Sequence, residues 1–403
     1  MKNKSQVFIW SLFDFGNSSY ATIIVAFVFA VYFKEVISSG QSIGDLYWSV
    51  GINISMIIAA ILNPVCGAIA DIRSNKKKFL FFFTMLCVVS TSLMYFTKEG
   101  TILFAIFLFI MSNIGFQTGL TFYEAFITEI AEPDKFNKVS AMGYAVGYIG
   151  SLISVILVFP FKDNPNILFV ISAVFFLIFS MPLFLFLKEK KIERVVLSKG
   201  YVSYGFAKVM NTVRNINKYR NLKNYLIAYL FYIDAVNTII FFAGNYASST
   251  LKFTITELAV FFLIVQITAM LGSFLFGFIG DRIGILKSIY VNLIMWSLLT
   301  IAVFFTNDKM SFFIIGGFAG TFLGSTQSLS RALMATLTPE ESKTEFFGFY
   351  GLFDKTSTLL GPLTFGMVSY FTGSQKFAVL SLGIFFLLGM FLLKNVKEKE
   401  ILQ

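Results

Sequence analysis

The 403-residue sequence has no histidine, only two cysteines and few charges, 13% in all. Without histidine there is no imidazole base and no histidine-ligated metal. Cys66 and Cys87 lie in apolar runs and read as small core fillers rather than a disulfide or a metal pair. The phosphate-binding loop ending in Gly-Lys-Ser/Thr and the zinc-protease helix are both missing. Neither ATP-driven transport within this chain nor enzymatic activity is expected, and no cofactor. Soluble domains carry about 25% charged residues, so this chain lacks the polar surface a water-facing fold needs. The N-terminus "MKNKSQVFIWSLFDFGN" has no small-residue cleavage site, and Asp14 interrupts its apolar run, so it is not read as a signal peptide.

What is present is apolar sequence: 57% hydrophobic residues and a mean hydropathy of +0.77. The solvent this composition fits is lipid. A bilayer-crossing helix needs roughly 20 mostly apolar residues. Twelve such stretches occur, near 6–36, 45–70, 79–97, 101–129, 136–161, 165–187, 222–248, 255–280, 286–305, 309–336, 344–372 and 375–394. The expected fold is therefore all-α, a membrane protein of twelve transmembrane helices. Connections are short except for 188–221, which is polar and basic. It separates an N-terminal six-helix bundle, 1–187, from a C-terminal one, 222–403.

The formal charge of +10 raises the question of nucleic acid. Its distribution answers it. With the N-terminus in the cytoplasm, 24 of the 32 Lys and Arg fall on the cytoplasmic side, six outside and two, Arg331 and Lys355, within spans. This is the positive-inside pattern of an inner membrane protein with both termini cytoplasmic. Topology and anionic lipid explain the charge, and no nucleic acid is needed. The expected location is a bacterial-type cytoplasmic membrane.

The chain repeats itself. The first span carries Asp14-Phe-Gly-Asn17 and the seventh Asp234-Ala-Val-Asn237. The second ends in Gly67-x-x-x-Asp71 and the eighth in Gly277-x-x-x-Asp281. The fourth exits at Glu132-Pro133-Asp134 and the tenth at Thr338-Pro339-Glu340. Three landmarks in order, on corresponding helices, indicate duplication. An even number of spans per half gives a parallel repeat, as in a large class of secondary transporters.

Twelve spans, a central cytoplasmic loop and Gly-x-x-x-Asp before a basic loop resemble the major facilitator superfamily. Within it, "SLFDFGNSSYATII", "FYEAFITEIAEPDKFNKVSAMGYAVGYIGS", "YLFYIDAVNTIIFFAGNYA" and "STQSLSRALMATLTPEESKTEFFGFYGLFDKTSTLLGPLTFG" are similar to the "unknown major facilitator" group. That group includes the fungal autophagy-related vacuolar amino-acid effluxers. The resemblance spans nearly all of the chain outside 188–221 and the tail. It implies two pseudo-symmetric bundles around a central cavity lined by spans 1, 4, 7 and 10, and amino-acid export as the activity.

A carboxylate at mid-membrane costs about 2.5–3.5 kcal/mol on insertion scales and normally faces protein or water. Residues three apart share a helix face, so Asp14 points with Asn17 and Asp234 with Asn237. The expected role is a substrate or coupling pathway; the competing one is a buried hydrogen-bond brace between helices. Span 4 adds Gln117, Tyr123 and Glu124, and span 10 adds Gln327 and Arg331. A zwitterionic amino acid suits this set, its ammonium at Asp14 or Asp234 and its carboxylate at Arg331. Arg331 has the alternative of snorkelling to the interface. Without histidine, Asp or Glu must carry any coupling proton, and Asp234 sits deepest. Asp354 and Lys355, adjacent in span 11, do not share a face and are expected to find partners on other helices.

Gly67 and Gly277 permit close helix approach. Asp71 and Asp281 are expected to accept hydrogen bonds from the N-terminal amides of neighbouring helices, braced by Arg73 and Arg282. Such a latch would gate the cytoplasmic side. Its first copy departs from the family pattern, with Ile72 where Arg commonly follows the acid; the second, Asp281-Arg282-Ile283-Gly284, fits better. The expected partners are a small-molecule substrate, the lipid bilayer and protons, with the chain acting as a monomer. Competing readings keep the fold but export drugs, peptides or sugars, or make the chain a lipid flippase, an intramembrane enzyme or a non-transporting receptor.

Overall fold

The computed structural model describes residues 4–26, 28–39, 43–73, 75–161, 164–190, 200–358 and 360–397, and among these no strand occurs. The helices are α1 (Lys4–Ser19), α2 (Val28–Tyr32), α3 (Ile43–Arg73), α4 (Lys76–Leu93), α5 (Ile102–Ala125), α6 (Ile127–Ile130), α7 (Phe136–Val158) and α8 (Pro165–Phe186) in the first part of the chain. They continue as α9 (Tyr201–Arg214), α10 (Arg220–Ser249), α11 (Ile255–Ile283), α12 (Ile285–Phe305), α13 (Lys309–Leu337), α14 (Lys343–Thr356), α15 (Leu360–Thr372) and α16 (Gln375–Leu393). Among the described residues, ten of the expected spans are helices long and apolar enough to cross a bilayer. The tenth expected span is helical as α13, with Ser, Thr, Gln and Arg diluting its apolar character. The eleventh is broken into α14 and α15.

Local chemistry sets several boundaries. Thr254 caps α11, accepting from the Glu257 amide at 3.2 Å, while Glu257 Oε2 accepts from the Thr254 amide at 2.7 Å. This reciprocal pair satisfies two amides that a helix start leaves bare. Asp308 caps α13 by accepting from the Ser311 amide at 2.8 Å. Gly284, at φ +95°, turns the chain from α11 into α12, a conformation that a side chain would strain.

The chain divides into two compact units: Met1–Glu132, Val146–Asn211 and Pro339–Leu352 in one, Pro133–Ala145, Thr212–Thr338 and Phe353–Gln403 in the other. The split expected at 188–221 follows chain order. The division by contact trades two short segments, the starts of α7 and α14.

Helix pairing repeats between the halves. α1 packs on α8 as α10 packs on α16; α3 on α5 as α11 on α13; α4 on α5 and α8 as α12 on α13 and α16. In the first unit Trp10 and Phe13 stack on Tyr123 with ring centroids 4.6 and 4.7 Å apart, and Trp10 Nε1 donates to the Tyr123 carbonyl at 2.9 Å. In the second, Trp296 stacks on Phe386 and donates through Nε1 to Thr326 Oγ1 at 3.2 Å. Large apolar side chains also cover the outside, among them Leu103, Phe241, Phe305 and Phe371. Each would give up roughly 1.5–3 kcal/mol of burial free energy in water, and none of that in lipid.

Candidate functional site

In the first unit Asp14 and Asn17 are both buried on α1, and Asn17 Nδ2 donates to Asp14 Oδ1 at 3.4 Å. The three-residue spacing does place them on one face. Asp14 lies against α7, where a Cβ added to Gly147 would come within 3.5 Å of its own Cβ. Gln117, on α5, is buried, and its Oε1 has no hydrogen-bond partner among the described residues. Tyr123 is fully buried in the aromatic stack, while Glu124 next to it is half-buried.

In the second unit Asp234 is fully buried on α10. Its Oδ2 accepts from the Gly361 amide at 2.8 Å. Gly361 opens the second half of the broken span, so Asp234 caps α15 from a neighbouring helix. The approach demands glycine: a Cβ at 361 would lie 2.1 Å from Thr238 Oγ1 and 2.6 Å from Asp234 Oδ1. Asp234 Oδ1 is buried with no hydrogen-bond partner among the described residues. Asn237 is half-buried and donates to Ser357 Oγ at 3.4 Å. The two acids thus share a position, each against a glycine on the fifth span of its half, but differ in partner.

Arg331, on α13, is 1% exposed. Its Nε donates to Ser140 Oγ at 3.0 Å and its Nη2 to the Ser140 carbonyl at 2.9 Å, and its guanidinium stacks 4.1 Å from the Tyr144 ring centre. The snorkelling alternative does not hold: the charge is held by protein and aromatic face. Gln327, one turn earlier, is half-buried.

One expectation is corrected in span 11. Lys355 Nζ pairs with Asp354 Oδ2 at 2.6 Å. The pair lies in the last turn of α14, just before the helix breaks, and a four-carbon stem bridges the angle that separates adjacent residues. Asp354 also accepts from the Tyr229 hydroxyl at 3.0 Å, the cross-helix partner that was expected.

The two Gly-x-x-x-Asp elements meet different partners. Asp71 is 7% exposed and accepts from the Thr344 amide at 3.0 Å and the Glu345 amide at 2.8 Å, the first turn of α14. Gly67 makes room: a Cβ there would sit 2.5 Å from the Thr344 carbonyl oxygen. This is the expected carboxylate on a helix N-terminus. Asp281 is exposed and accepts from a side chain instead, Asn137 Nδ2 at 3.0 Å. The same nitrogen donates to the Gly277 carbonyl at 2.8 Å and the Phe276 carbonyl at 3.3 Å. The expected helix-amide partner is therefore corrected for this copy: at the start of α7 an amide side chain occupies the place of bare backbone donors. The expected brace from Arg282 is also absent among the described residues, since that side chain is exposed, where a guanidinium keeps its water. The side chain of Arg73 lies outside the described residues.

Sequence reading passed over several partners. Asn137, Ser140 and Tyr144 form one face at the start of α7, and their three- and four-residue spacing was the available signal. Asn63 is fully buried, and neither side-chain polar atom has a partner among the described residues. Ser273 holds the corresponding place one turn before the second glycine, and its Oγ is likewise buried without a partner.

Described residues whose regular structure is all helical, with a helix pairing repeated between the halves and a buried acid on the first span of each, are those of a transporter of the major facilitator class. Solved structures share the fold. The human organic anion transporter MFSD10 superposes with a TM-score of 0.76 at 12% identity, covering 97% of this chain and 100% of that one. The proton:xylose symporter XylE gives 0.74 at 13% identity, covering 96% and 94%. The family model described as "Vacuole effluxer Atg22 like" matches residues 47–400, and this chain belongs to that family. The uncharacterized MFS-type transporter YxiO of Bacillus subtilis (strain 168) is 31% identical, with 97% of this chain and 94% of that protein aligned. Autophagy-related protein 22 of Kluyveromyces lactis is 25% identical over 65% of this chain and 57% of that protein. The chain is a multi-pass integral membrane protein.

Proposed function

We propose that this protein exports a small zwitterionic amino acid from the cytoplasm by proton-coupled alternating access. The family's effluxer description supports transport of a solute across a membrane, and the positive-inside charge bias supports cytoplasmic termini in a bacterial-type cytoplasmic membrane. In this reading Asp14, with Asn17 beside it, supplies the counter-charge for an ammonium. Asp71 on the start of α14 is a cytoplasmic gate whose two bonds break in each cycle.

The observation that carries the coupling is Asp234 Oδ1. A buried oxygen with no hydrogen-bond partner among the described residues is costly when charged, while a proton placed there removes the charge and leaves the Oδ2 cap on Gly361 in place. Asp234 is then the proton carrier, and the α14–α15 break is the element that feels its charge. Asp234→Asn in proteoliposomes should lose amino-acid flux driven by a pH gradient, by about 100-fold, yet keep exchange of labelled for unlabelled substrate. Gradient-driven flux equal to that of the unsubstituted protein would defeat the proposal. Exchange of drugs, peptides or sugars but not amino acids would shift the cargo to the competing class.

A further inference from the structure

Helix α9 lies within the long basic connection 188–221, and its two faces differ. Gly205 seats it against α3, where an added Cβ would fall 3.0 Å from the Val65 carbonyl oxygen and 2.9 Å from Ile69 Cγ1. On the same side Lys208 Nζ lies 3.2 Å from Glu345 Oε2, a carboxylate fully buried at the start of α14. The other face is apolar and bare. Val202 is 63% exposed, Phe206 52%, Met210 54% and Val213 48%, spaced to form one stripe along the helix. From residue 200 to 233 the chain carries Lys208, Arg214, Lys218, Arg220 and Lys223 and no acid. An apolar stripe in an acid-free, basic segment is the composition of a helix lying in the headgroup layer of an anionic leaflet.

We infer that α9 is a docking surface for anionic lipid, and that Lys208 transmits its docked position to the Asp71 gate. The path is short. Lys208 pairs with the buried Glu345 side chain, and the Glu345 amide donates to Asp71 Oδ2 at 2.8 Å. A helix held on the leaflet keeps Lys208 in place and thereby keeps the first turn of α14 under Asp71. A helix lifted from it withdraws the ammonium from this buried carboxylate beside the gate bonds, and breaking a buried ion pair is strongly destabilising. The lipid contact stands independently of transport; only its link to the gate rests on the gate reading above.

The test uses the full chain, with Cys66 and Cys87 replaced by Ala and single spin labels at Phe206→Cys, Met210→Cys or Asn211→Cys. In phosphatidylcholine vesicles with roughly 30% phosphatidylglycerol, labels at 206 and 210 should favour collision with oxygen over a water-soluble nickel chelate by about threefold relative to 211, and the preference should fall in phosphatidylcholine alone. Labels at 206 and 210 that stay open to the chelate in both compositions overturn the lipid surface, and concentration-dependent spin–spin broadening would assign the stripe to a second copy instead. A second arm, without labels, follows amide exchange of residues 343–350. Anionic vesicles should slow it about tenfold. Lys208→Met should abolish that difference and Lys208→Arg should keep it. Exchange that ignores both lipid and Lys208 overturns the coupling. Neither arm measures flux, so loss of the export reading would leave both results standing.

Discussion

The two Gly-x-x-x-Asp elements look alike in sequence and behave differently in structure. The second copy fits the family pattern better, yet its acid is exposed and holds one side-chain nitrogen. The first copy lacks the arginine after its acid, yet Asp71 is buried and holds two backbone amides at a helix start. A motif states which residue types are present. The strength of the contact depends on what the partner helix offers. Bare amides in the first turn of α14 add to the helix dipole, whereas Asn137 divides one nitrogen among three acceptors.

This asymmetry can be broken in graded steps. Asp71→Ala should have the largest effect, about 2–3 kcal/mol, because two buried amides lose a charged acceptor. It is read as faster exchange at Thr344 and Glu345 and as a lower Tm in detergent. Gly67→Ala follows at about 2 kcal/mol, since the added Cβ meets backbone that cannot yield without moving α14; thermal unfolding measures it. Asn137→Ala should cost about 1 kcal/mol, because three acceptors lose one donor and two of those are carbonyls. Asp281→Ala should change stability by no more than about 0.5 kcal/mol, as an exposed acid with a neutral partner. If Asp281→Ala and Asp71→Ala shift Tm equally, the two copies are equivalent and the asymmetry has no energetic meaning.

Ten of the spans and the repeat were legible because apolar runs of membrane length and evenly spaced landmarks survive in a one-dimensional pattern. The Asp14–Asn17 face followed from helical spacing, as did the helix-start partner of Asp71 from the chemistry of bare amides. What was not legible is partner identity across long sequence distance. Nothing near Arg331 in the chain announces Ser140 and Tyr144, and nothing near Asp234 announces the amide of Gly361. The break between α14 and α15 was also hidden, since residues 344–372 read as one apolar stretch. Gly361-Pro362 was its only mark. The Asp354–Lys355 pair was misjudged because face geometry governs Cβ directions, while a lysine ammonium reaches several ångströms beyond them.

The central claim is that the bonds from Thr344 and Glu345 to Asp71 form a gate that opens as the carrier works. The most direct measurement is amide exchange of residues 343–350 in proteoliposomes, with and without a saturating transported amino acid. Turnover should speed that exchange about tenfold while helix interiors far from the gate stay unchanged. Exchange at 343–350 that is the same with and without substrate, in a preparation shown to transport, would contradict it.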